Sequence, residues 1–173
     1  MDGVTTTMTK QHVLRLFSIL PAFTLASCVT VNLGGGKTTT AQGVSYNQPQ
    51  KPFEEIKLKD ADHAWQNKDN GSTISYLSTC NDPADPGLLA ARGDFLASLN
   101  SLKIVSENDS EFNGREALTT VAEGKVDGVN TRVELLLFKK NNCLYTLSFV
   151  ALAKTFNDNH ANYGEFVQSF KAP

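Results

Sequence analysis

Regularly spaced turn signals in the second half of the chain are the strongest constraint on its fold. They separate four β-rich runs, 104–112, 117–126, 129–139 and 143–153, at Asn113-Gly114, Asp127-Gly128 and Asn141-Asn142. Asn-Gly and Asp-Gly pairs favour two-residue hairpins, because both central residues of such a turn take positive φ. Successive hairpins place each run beside the one before it. The sequence therefore predicts a four-stranded antiparallel meander.

Two segments of the meander, 133–138 and 144–152, are apolar on both faces. A strand with one solvated face alternates apolar and polar residues, whereas a strand covered on both faces reads as a continuous apolar run. We therefore expect these two strands to lie near the centre of the sheet, with other structure packed on each side of them.

Shorter elements precede the meander. The β-rich runs 64–67 and 72–80 flank Asn70-Gly71 and predict an N-terminal strand pair. Asp85 and Pro86 then suit the N-cap and the first position of a helix. Apolar residues recur after them every three or four positions and predict one buried helical stripe, formed by Leu88, Leu89, Phe95, Leu96, Leu99 and Leu102.

The last segment, 157–170, predicts a second helix. Asn157 or Asp158 suits its cap, and its large apolar residues fall on one face: Tyr163, Phe166, Val167 and Phe170. The predicted fold class is therefore α+β. An antiparallel sheet, made of the meander and the N-terminal strand pair, packs with two helices in an α/β/α-like layering.

Residues 1–27 have the composition of an export signal. Lys10 and Arg15 accompany an apolar run that is shorter than the ~20 residues needed to span a membrane. The run ends in Leu25-Ala26-Ser27-Cys28, which closely resembles the lipobox of bacterial lipoproteins. The resemblance implies cleavage between Ser27 and Cys28, followed by lipidation of the Cys28 thiol. The alternative is an ordinary secretory signal in which Cys28 is incidental.

An acylated Cys28 would anchor the protein in the bacterial envelope, and we expect the outer membrane, facing the periplasm. Residues 28–52 are rich in Thr, Gly, Asn, Gln and Ser and predict a flexible tether, with a single domain over 53–173. The tether segment Gly34-Gly35-Gly36-Lys37-Thr38 resembles the end of a phosphate-binding loop, but Val31 stands where that loop needs a glycine. We therefore expect no nucleotide site.

The chain has three cysteines, Cys28, Cys80 and Cys143. If Cys28 carries lipid, the other two can pair in an oxidising periplasm. The alternative is two buried free thiols that behave as small hydrophobic groups. We predict a Cys80–Cys143 disulfide, since neither cysteine has the spacing of a metal or redox motif.

The order of elements over about residues 53 to 173 is similar to the PsbP-like fold. A strand pair, a helix, a long antiparallel meander and a closing helix follow one another, and the last helix ends in Phe166-Val167-Gln168-Ser169-Phe170. That fold includes extrinsic photosystem proteins and many bacterial envelope lipoproteins. The resemblance implies the fold and transfers no functional residue, because no catalytic or ligand motif is shared.

Residues that could bind a ligand or take part in catalysis are few and scattered. Asp60, Asp62 and His63 lie close together and could hold a cation, although a solvated loop explains them better. His160 is better explained as part of a helix cap. We therefore predict no metal ion, no cofactor and no catalytic residue. The net charge of −2 argues against a nucleic-acid partner, which would need a basic patch.

Other side chains favour structural interpretations. Glu107, Asp109 and Glu111 alternate along one strand face, which suits an exposed hairpin better than a pair of catalytic carboxylates. Trp65 and Tyr76 fall on adjacent predicted strands, where they could line a groove or complete the core, and the core is the better explanation.

These observations favour a lipid-anchored binding or accessory module that holds a protein partner at the membrane surface, rather than an enzyme. The alternative is a small-ligand carrier with a pocket between sheet and helix, and a hydrolase built from scattered residues is a weaker third interpretation. A sizeable cavity would favour the carrier, whereas an exposed apolar patch on the meander would favour partner binding.

Overall fold

The computed structural model describes residues 37–173 as a seven-stranded sheet with two helices. The predicted signal peptide, Cys28 and the first part of the predicted tether lie outside these residues. In chain order the elements are β1 (Phe53–Ile56), β2 (His63–Asn67), β3 (Thr73–Cys80), α1 (Leu88–Leu96), β4 (Asn100–Phe112), β5 (Arg115–Val126), β6 (Val129–Lys140), β7 (Cys143–Leu152) and α2 (Phe156–Ser169).

The predicted meander is present as β4 to β7. Its three turns have the expected backbone, with positive φ at both central residues: Asn113 and Gly114, Asp127 and Gly128, Asn141 and Asn142. The strands lie in the order β1-β2-β3-β7-β6-β5-β4, and every neighbouring pair is antiparallel. This order makes β4 one edge of the sheet and β1 the other.

The meander joins the N-terminal strands through β7 and β3. These two pair without interruption from Thr73 opposite Val150 to Cys80 opposite Cys143. The predicted strand pair is β2 and β3. β1 was not predicted from the sequence; its four residues pair with β2 and bury only Phe53.

The two helices lie on opposite faces of the sheet, which confirms the α+β class and its α/β/α-like layering. α2 packs on β7, where Tyr145, Leu147 and Phe149 belong to one buried cluster. α1 packs on β6 and β5 over a second cluster that contains Leu135 and Leu137. Alternate residues of the central strands thus belong to two separate cores, one on each face of the sheet, as their continuous apolar sequence predicted.

The predicted start of α1 is wrong. The N-cap is Gly87, which makes no side-chain cap hydrogen bond, and the helix begins at Leu88. Asp85 has a φ of 38° and its carboxylate accepts a hydrogen bond from the Lys139 ammonium of β6. The acidic side chain is therefore used to hold the β3–α1 connection against the sheet.

The single buried stripe predicted for α1 is also wrong in extent. Leu96 and Leu99 are buried, whereas Leu89 is 59% exposed and Leu102 is 46% exposed. The helix ends at Leu96 and the chain then enters β4, so Leu102 belongs to a strand and the helical period does not apply to it.

The predicted buried face of α2 is confirmed, but its predicted N-cap is wrong. Tyr163, Phe166 and Phe170 are each at most 2% exposed, and Val167 packs at the margin of the same cluster. The N-cap is Thr155 without a side-chain cap bond, and Asp158 lies in the first turn, where its charge favours the helix dipole.

Residues 39–47, here called the strap, are part of the folded unit and correct the C-terminal limit of the predicted tether. Thr39 exchanges backbone hydrogen bonds with Cys80, and Ser45 does so with Lys171. Ala41, Val44 and Tyr46 pack against the aromatic core. The polar composition of the segment did not predict this packing, because only three of its residues make apolar contacts with the core.

Candidate protein-binding surface

The edge strand β4 is the most exposed long element among the described residues. All of its residues from Asn100 to Glu111 are exposed on both faces, and Phe112 is half-buried. One side of the strand pairs with β5, and no other strand within residues 37–173 pairs with its second side. A long edge presents a row of free backbone donors and acceptors that another polypeptide can use.

One end of this edge carries a group of exposed apolar side chains, here called the apolar end: Leu102, Ile104, Val105, Val126 and Val129, which are 39–48% exposed. They share one end of the meander, since Lys125 pairs with Asn100 and Val126 pairs with Val129 across the β5–β6 turn. The pairing register shifts twice here, between Asn100 and Lys103 and between Ile104 and Ser106. Such bulges re-aim side chains at sheet edges.

The other end of β4 carries exposed carboxylates, here called the acidic end: Glu107, Asp109 and Glu111. Glu107 accepts hydrogen bonds from Arg92 of α1 and from Thr120 of β5, which places it on the α1 face of the sheet. Glu111 lies directly opposite Glu116. Like charges in direct cross-strand register destabilise a hairpin, so this end favours a positively charged neighbour.

An aromatic cluster beneath the strap forms the opposite, α2 face of the N-terminal strands. The Tyr46 ring centroid lies 5.3 Å from that of Tyr76, 5.5 Å from that of Trp65 and 5.5 Å from that of Phe166. Trp65 is 2% exposed and Tyr76 is 6% exposed, so both complete the core as predicted. Burial is the main cause that raises the pKa of Tyr76 above its ordinary value.

The polar residues singled out in the sequence have separate local contacts. The Asp62 carboxylate accepts hydrogen bonds from the backbone N–H and hydroxyl of Ser78 on β3. His63 Nδ1 lies 3.0 Å from a Glu55 carboxylate oxygen. His160 Nε2 lies 2.7 Å from a carboxylate oxygen of Glu134, and Asp60 is exposed. Each contact joins neighbouring elements of the fold.

A metal arrangement is not found among residues 37–173, where no group of three or more His, Cys, Asp or Glu side chains is placed to hold an ion. Over the same residues, no helix has the length and apolar character needed to cross a membrane. Asp60, Asp62 and His63 therefore do not converge on a cation site in the described part of the chain.

A shallow cleft beside α1 has a largely apolar lining. Its volume is about 250 Å³, and its lining includes Leu77, Phe95 and Leu144 with Thr79 and Thr146 at the margin. Pockets that enclose small molecules usually measure about 300–1,000 Å³. The cleft is open and below that range. Three other concavities measure about 310, 380 and 420 Å³, but they also open to solvent and most of their lining residues are polar or charged. The concavities therefore support the carrier interpretation less well than β4 supports partner binding.

The predicted disulfide joins Cys80 of β3 to Cys143 of β7, whose Cα atoms are 3.9 Å apart. Cys80 directs its backbone N–H and C=O to Thr39, so it makes no ladder bonds to Cys143. Directly opposite residues without ladder bonds have the closer Cα approach in antiparallel sheets. The bridge therefore connects the meander with the N-terminal strands at the point where the strap is attached.

The chain resembles solved structures, whereas no family model and no curated protein matches it. The solution structure of cyanobacterial PsbP (CyanoP) from Synechocystis sp. PCC 6803 superimposes with a TM-score of 0.54 at 12% identity, covering 86% of this chain and 99% of that one. LpqN, involved in cell envelope biogenesis of Mycobacterium tuberculosis, gives a TM-score of 0.59 at 14% identity over 79% of this chain and 91% of its own.

These comparisons identify the fold of the chain. The chain is an α+β protein whose fold is PsbP-like, in agreement with the resemblance in its element order. At identities of 12% and 14% the likeness shows the fold alone.

The acidic residues of β4 were predicted from the sequence, but their setting was not. The prediction of an exposed hairpin is correct, whereas neither the edge position of β4 nor the contact between Arg92 and Glu107 was predicted. The available signal was the run Ser106-Glu107-Asn108-Asp109-Ser110-Glu111, which has no apolar residue on either face. A strand without an apolar face cannot lie inside a layered sheet.

Proposed function

We propose that this chain is a lipid-anchored module of the bacterial envelope that binds a protein partner at the membrane surface and is not an enzyme. The observation that carries the proposal is β4, a 13-residue edge strand with exposed apolar side chains at one end. Exposed apolar groups collected on one surface are typical of protein interaction sites.

Two further observations support the envelope setting. The segment Leu25-Ala26-Ser27-Cys28 resembles a lipobox, and the fold is shared with LpqN, which is involved in cell envelope biogenesis in its own organism. Acylation at Cys28 would hold the domain near the membrane, because two or three acyl chains make a stable anchor. We place that anchor in the outer membrane, with the domain facing the periplasm.

The anchor is tested with Cys28→Ala. We expect the variant to lose lipid labelling and to accumulate as an uncleaved precursor, because the lipidated cysteine is the substrate of the maturation step. The matched control is Ser45→Ala, which alters an exposed residue of the strap and leaves the backbone bonds to Lys171 intact. A Cys28→Ala protein that matures and stays membrane-bound after a salt wash would refute the lipid anchor.

Partner binding is tested with Ile104→Asp at the apolar end of β4. Ile104 is 39% exposed, so the change adds a charge to the surface without disturbing the core. We expect an affinity-purified complex from native membranes to lose its stoichiometric partner. The control is Leu58→Asp, an exposed apolar residue outside the meander that is 46% exposed. Equal retention of the partner by both variants would contradict the proposal.

The absence of catalysis is tested with alanine at His63, His160, Asp60 and Asp62. We expect cellular function to persist in all four, because the contacts of His63, His160 and Asp62 join structural elements and Asp60 is exposed. Asp62→Asn accompanies Asp62→Ala, since the amide oxygen can still accept a bond from the Ser78 N–H. One such variant that folds, reaches the membrane and loses all function would move the protein to the enzyme class.

A further inference from the structure

We propose that the regular half of β4, residues 106–112, recruits an extended segment of the partner with basic residues at alternate positions, which adds to the sheet as an eighth strand. The inference rests on the proposed partner-binding function and specifies the chemistry of the partner. Residues 106–112 pair one-to-one with β5 without a bulge, so this half of the edge is a straight template.

The turn after β4 determines which backbone groups are free. Asn113 and Gly114 both have positive φ, at 53° and 74°, and form a two-residue hairpin in which Phe112 and Arg115 bond to each other. Bonding alternates along an antiparallel pair. Residues 106, 108, 110 and 112 therefore bond to β5, while 107, 109 and 111 direct their N–H and C=O groups to the open edge.

The residues with free backbone groups are also the acidic ones. Glu107, Asp109 and Glu111 share the α1 face, where the Arg92 contact places Glu107. A strand added to this edge would set its own side chains directly opposite these three carboxylates. Glu107 already accepts a bond from Arg92, so lysine or arginine at alternate positions of that strand would pair chiefly with Asp109 and Glu111. Opposite charges in this register stabilise a sheet.

The charge of the acidic end disfavours a second copy of this chain as the occupant. A centred antiparallel β4–β4 pairing that uses the free groups of 107, 109 and 111 sets carboxylate opposite carboxylate. Like charges in direct opposition destabilise the pairing. The small polar residues of the other face, Ser106, Asn108 and Ser110, leave that side accessible to a different chain.

The first experiment uses the full chain in detergent micelles and a synthetic peptide in which lysine or arginine alternates with threonine. We expect saturable binding, with amide hydrogen exchange slowed at Glu107, Asp109 and Glu111 and unchanged at Asn108 and Ser110, which are already bonded to β5. One control peptide carries glutamate in place of the basic residues, and a second has the same composition with its basic residues adjacent. Equal binding of either control, or protection elsewhere, would overturn the proposal.

The second experiment uses Asp109→Pro, which removes a free N–H without breaking a β4–β5 bond, since proline is tolerated on the open side of an edge strand. We expect at least about a tenfold loss of peptide affinity. Asp109→Asn with Glu111→Gln keeps the backbone and removes charge, and we expect a loss of about threefold to tenfold. Protection of the inward amides shows that each variant is folded, and unchanged affinity in folded Asp109→Pro would overturn strand addition.

The outcomes separate this inference from the proposed function. If the peptide does not bind at 106–112 while Ile104→Asp still releases the native partner, strand addition is wrong and the binding module stands. If Ile104→Asp and Asp109→Pro both retain the native partner, the proposed function fails whether or not the basic peptide binds.

Discussion

Tyr46 connects the strap to the sheet through ring contacts. Its centroid lies within 5.9 Å of four other rings, those of His63, Trp65, Tyr76 and Phe166. Replacing a packed aromatic side chain by alanine removes this contact area and leaves a cavity. Because Tyr46 is half-buried, we expect Tyr46→Ala to lower the free energy of unfolding by about 1–3 kcal/mol.

The loss is measured by urea unfolding, followed by the fluorescence of Trp65, the single tryptophan. Tyr46→Phe is the control, since it retains the ring and removes only the hydroxyl. If Tyr46→Ala unfolds at the same urea concentration as the wild type, the strap does not contribute to the stability of the domain.

Gly124 allows the α1–β4 connection to cross β5. A Cβ atom at this position would lie 2.9 Å from Leu99 Cβ and 3.0 Å from the backbone oxygen of Asn100. Overpacking of this kind typically costs about 1–3 kcal/mol, and we expect Gly124→Ala to destabilise the protein by that amount. Gly164→Ala is the matched control in α2, where the added Cβ meets nothing within 4 Å.

Thermal unfolding of both variants checks this prediction. Gly164→Ala should be neutral or more stable, because alanine favours a helix over glycine by up to about 1 kcal/mol. A Gly124→Ala protein as stable as the wild type would show that the crossing has room for a side chain.

At the scale of elements, the Cys80–Cys143 bridge joins β3 to the meander and closes a sequence separation of 63 residues. In the chain-entropy model a loop of this size contributes about 4 kcal/mol, as an upper figure. We therefore expect the C80A/C143A double variant to unfold at a markedly lower urea concentration.

Wild-type protein treated with a reductant should show the same loss, while the double variant should not respond to the reductant. Thiol titration establishes that the wild-type bridge has been reduced. An unchanged unfolding midpoint in fully reduced protein would mean that pairing of β3 with β7 does not depend on the bridge.

At the scale of the whole molecule, folding raises the pKa of all four tyrosines. Burial is the largest cause of a raised pKa at Tyr46, Tyr76, Tyr145 and Tyr163. In the unfolded chain tyrosine ionises near pH 10. Above about pH 10 the unfolded state therefore loses protons that the folded state retains, and stability falls as the pH rises.

We expect the tyrosine contribution to stability to be constant below about pH 9 and to decline above about pH 10. Urea unfolding across this range measures the decline, and tyrosinate absorbance should rise only as the protein unfolds. Tyr76→Phe removes one buried phenol, so its alkaline decline should be shallower. Tyrosinate absorbance that rises at pH 10 in folded protein would contradict the effect of burial.

Several features of this protein were determined by sequence alone, because their causes are local. Paired Asn, Asp and Gly residues produce the hairpin turns, and the continuous apolar runs of β6 and β7 identify the central strands. The aromatic residues of α2 are spaced by the helical period, which fixes its buried face. The Cys80–Cys143 pair was also predicted from the sequence, since only these two cysteines remain once Cys28 is assigned to the predicted lipobox.

The tertiary structure decided the features that depend on distant parts of the chain. Asp85 is a good N-cap by type, but Lys139 draws its carboxylate to β6, and α1 begins later. The strap has the composition of a linker, yet Tyr46 finds a site made by β2, β3 and α2. β4 became the exposed edge because β3 pairs with β7 and leaves the meander open at its far side. The polar residues around Asp109 exclude a central strand, but they do not show which strand pairing leaves β4 open, since an edge is defined by which strands meet across the sheet.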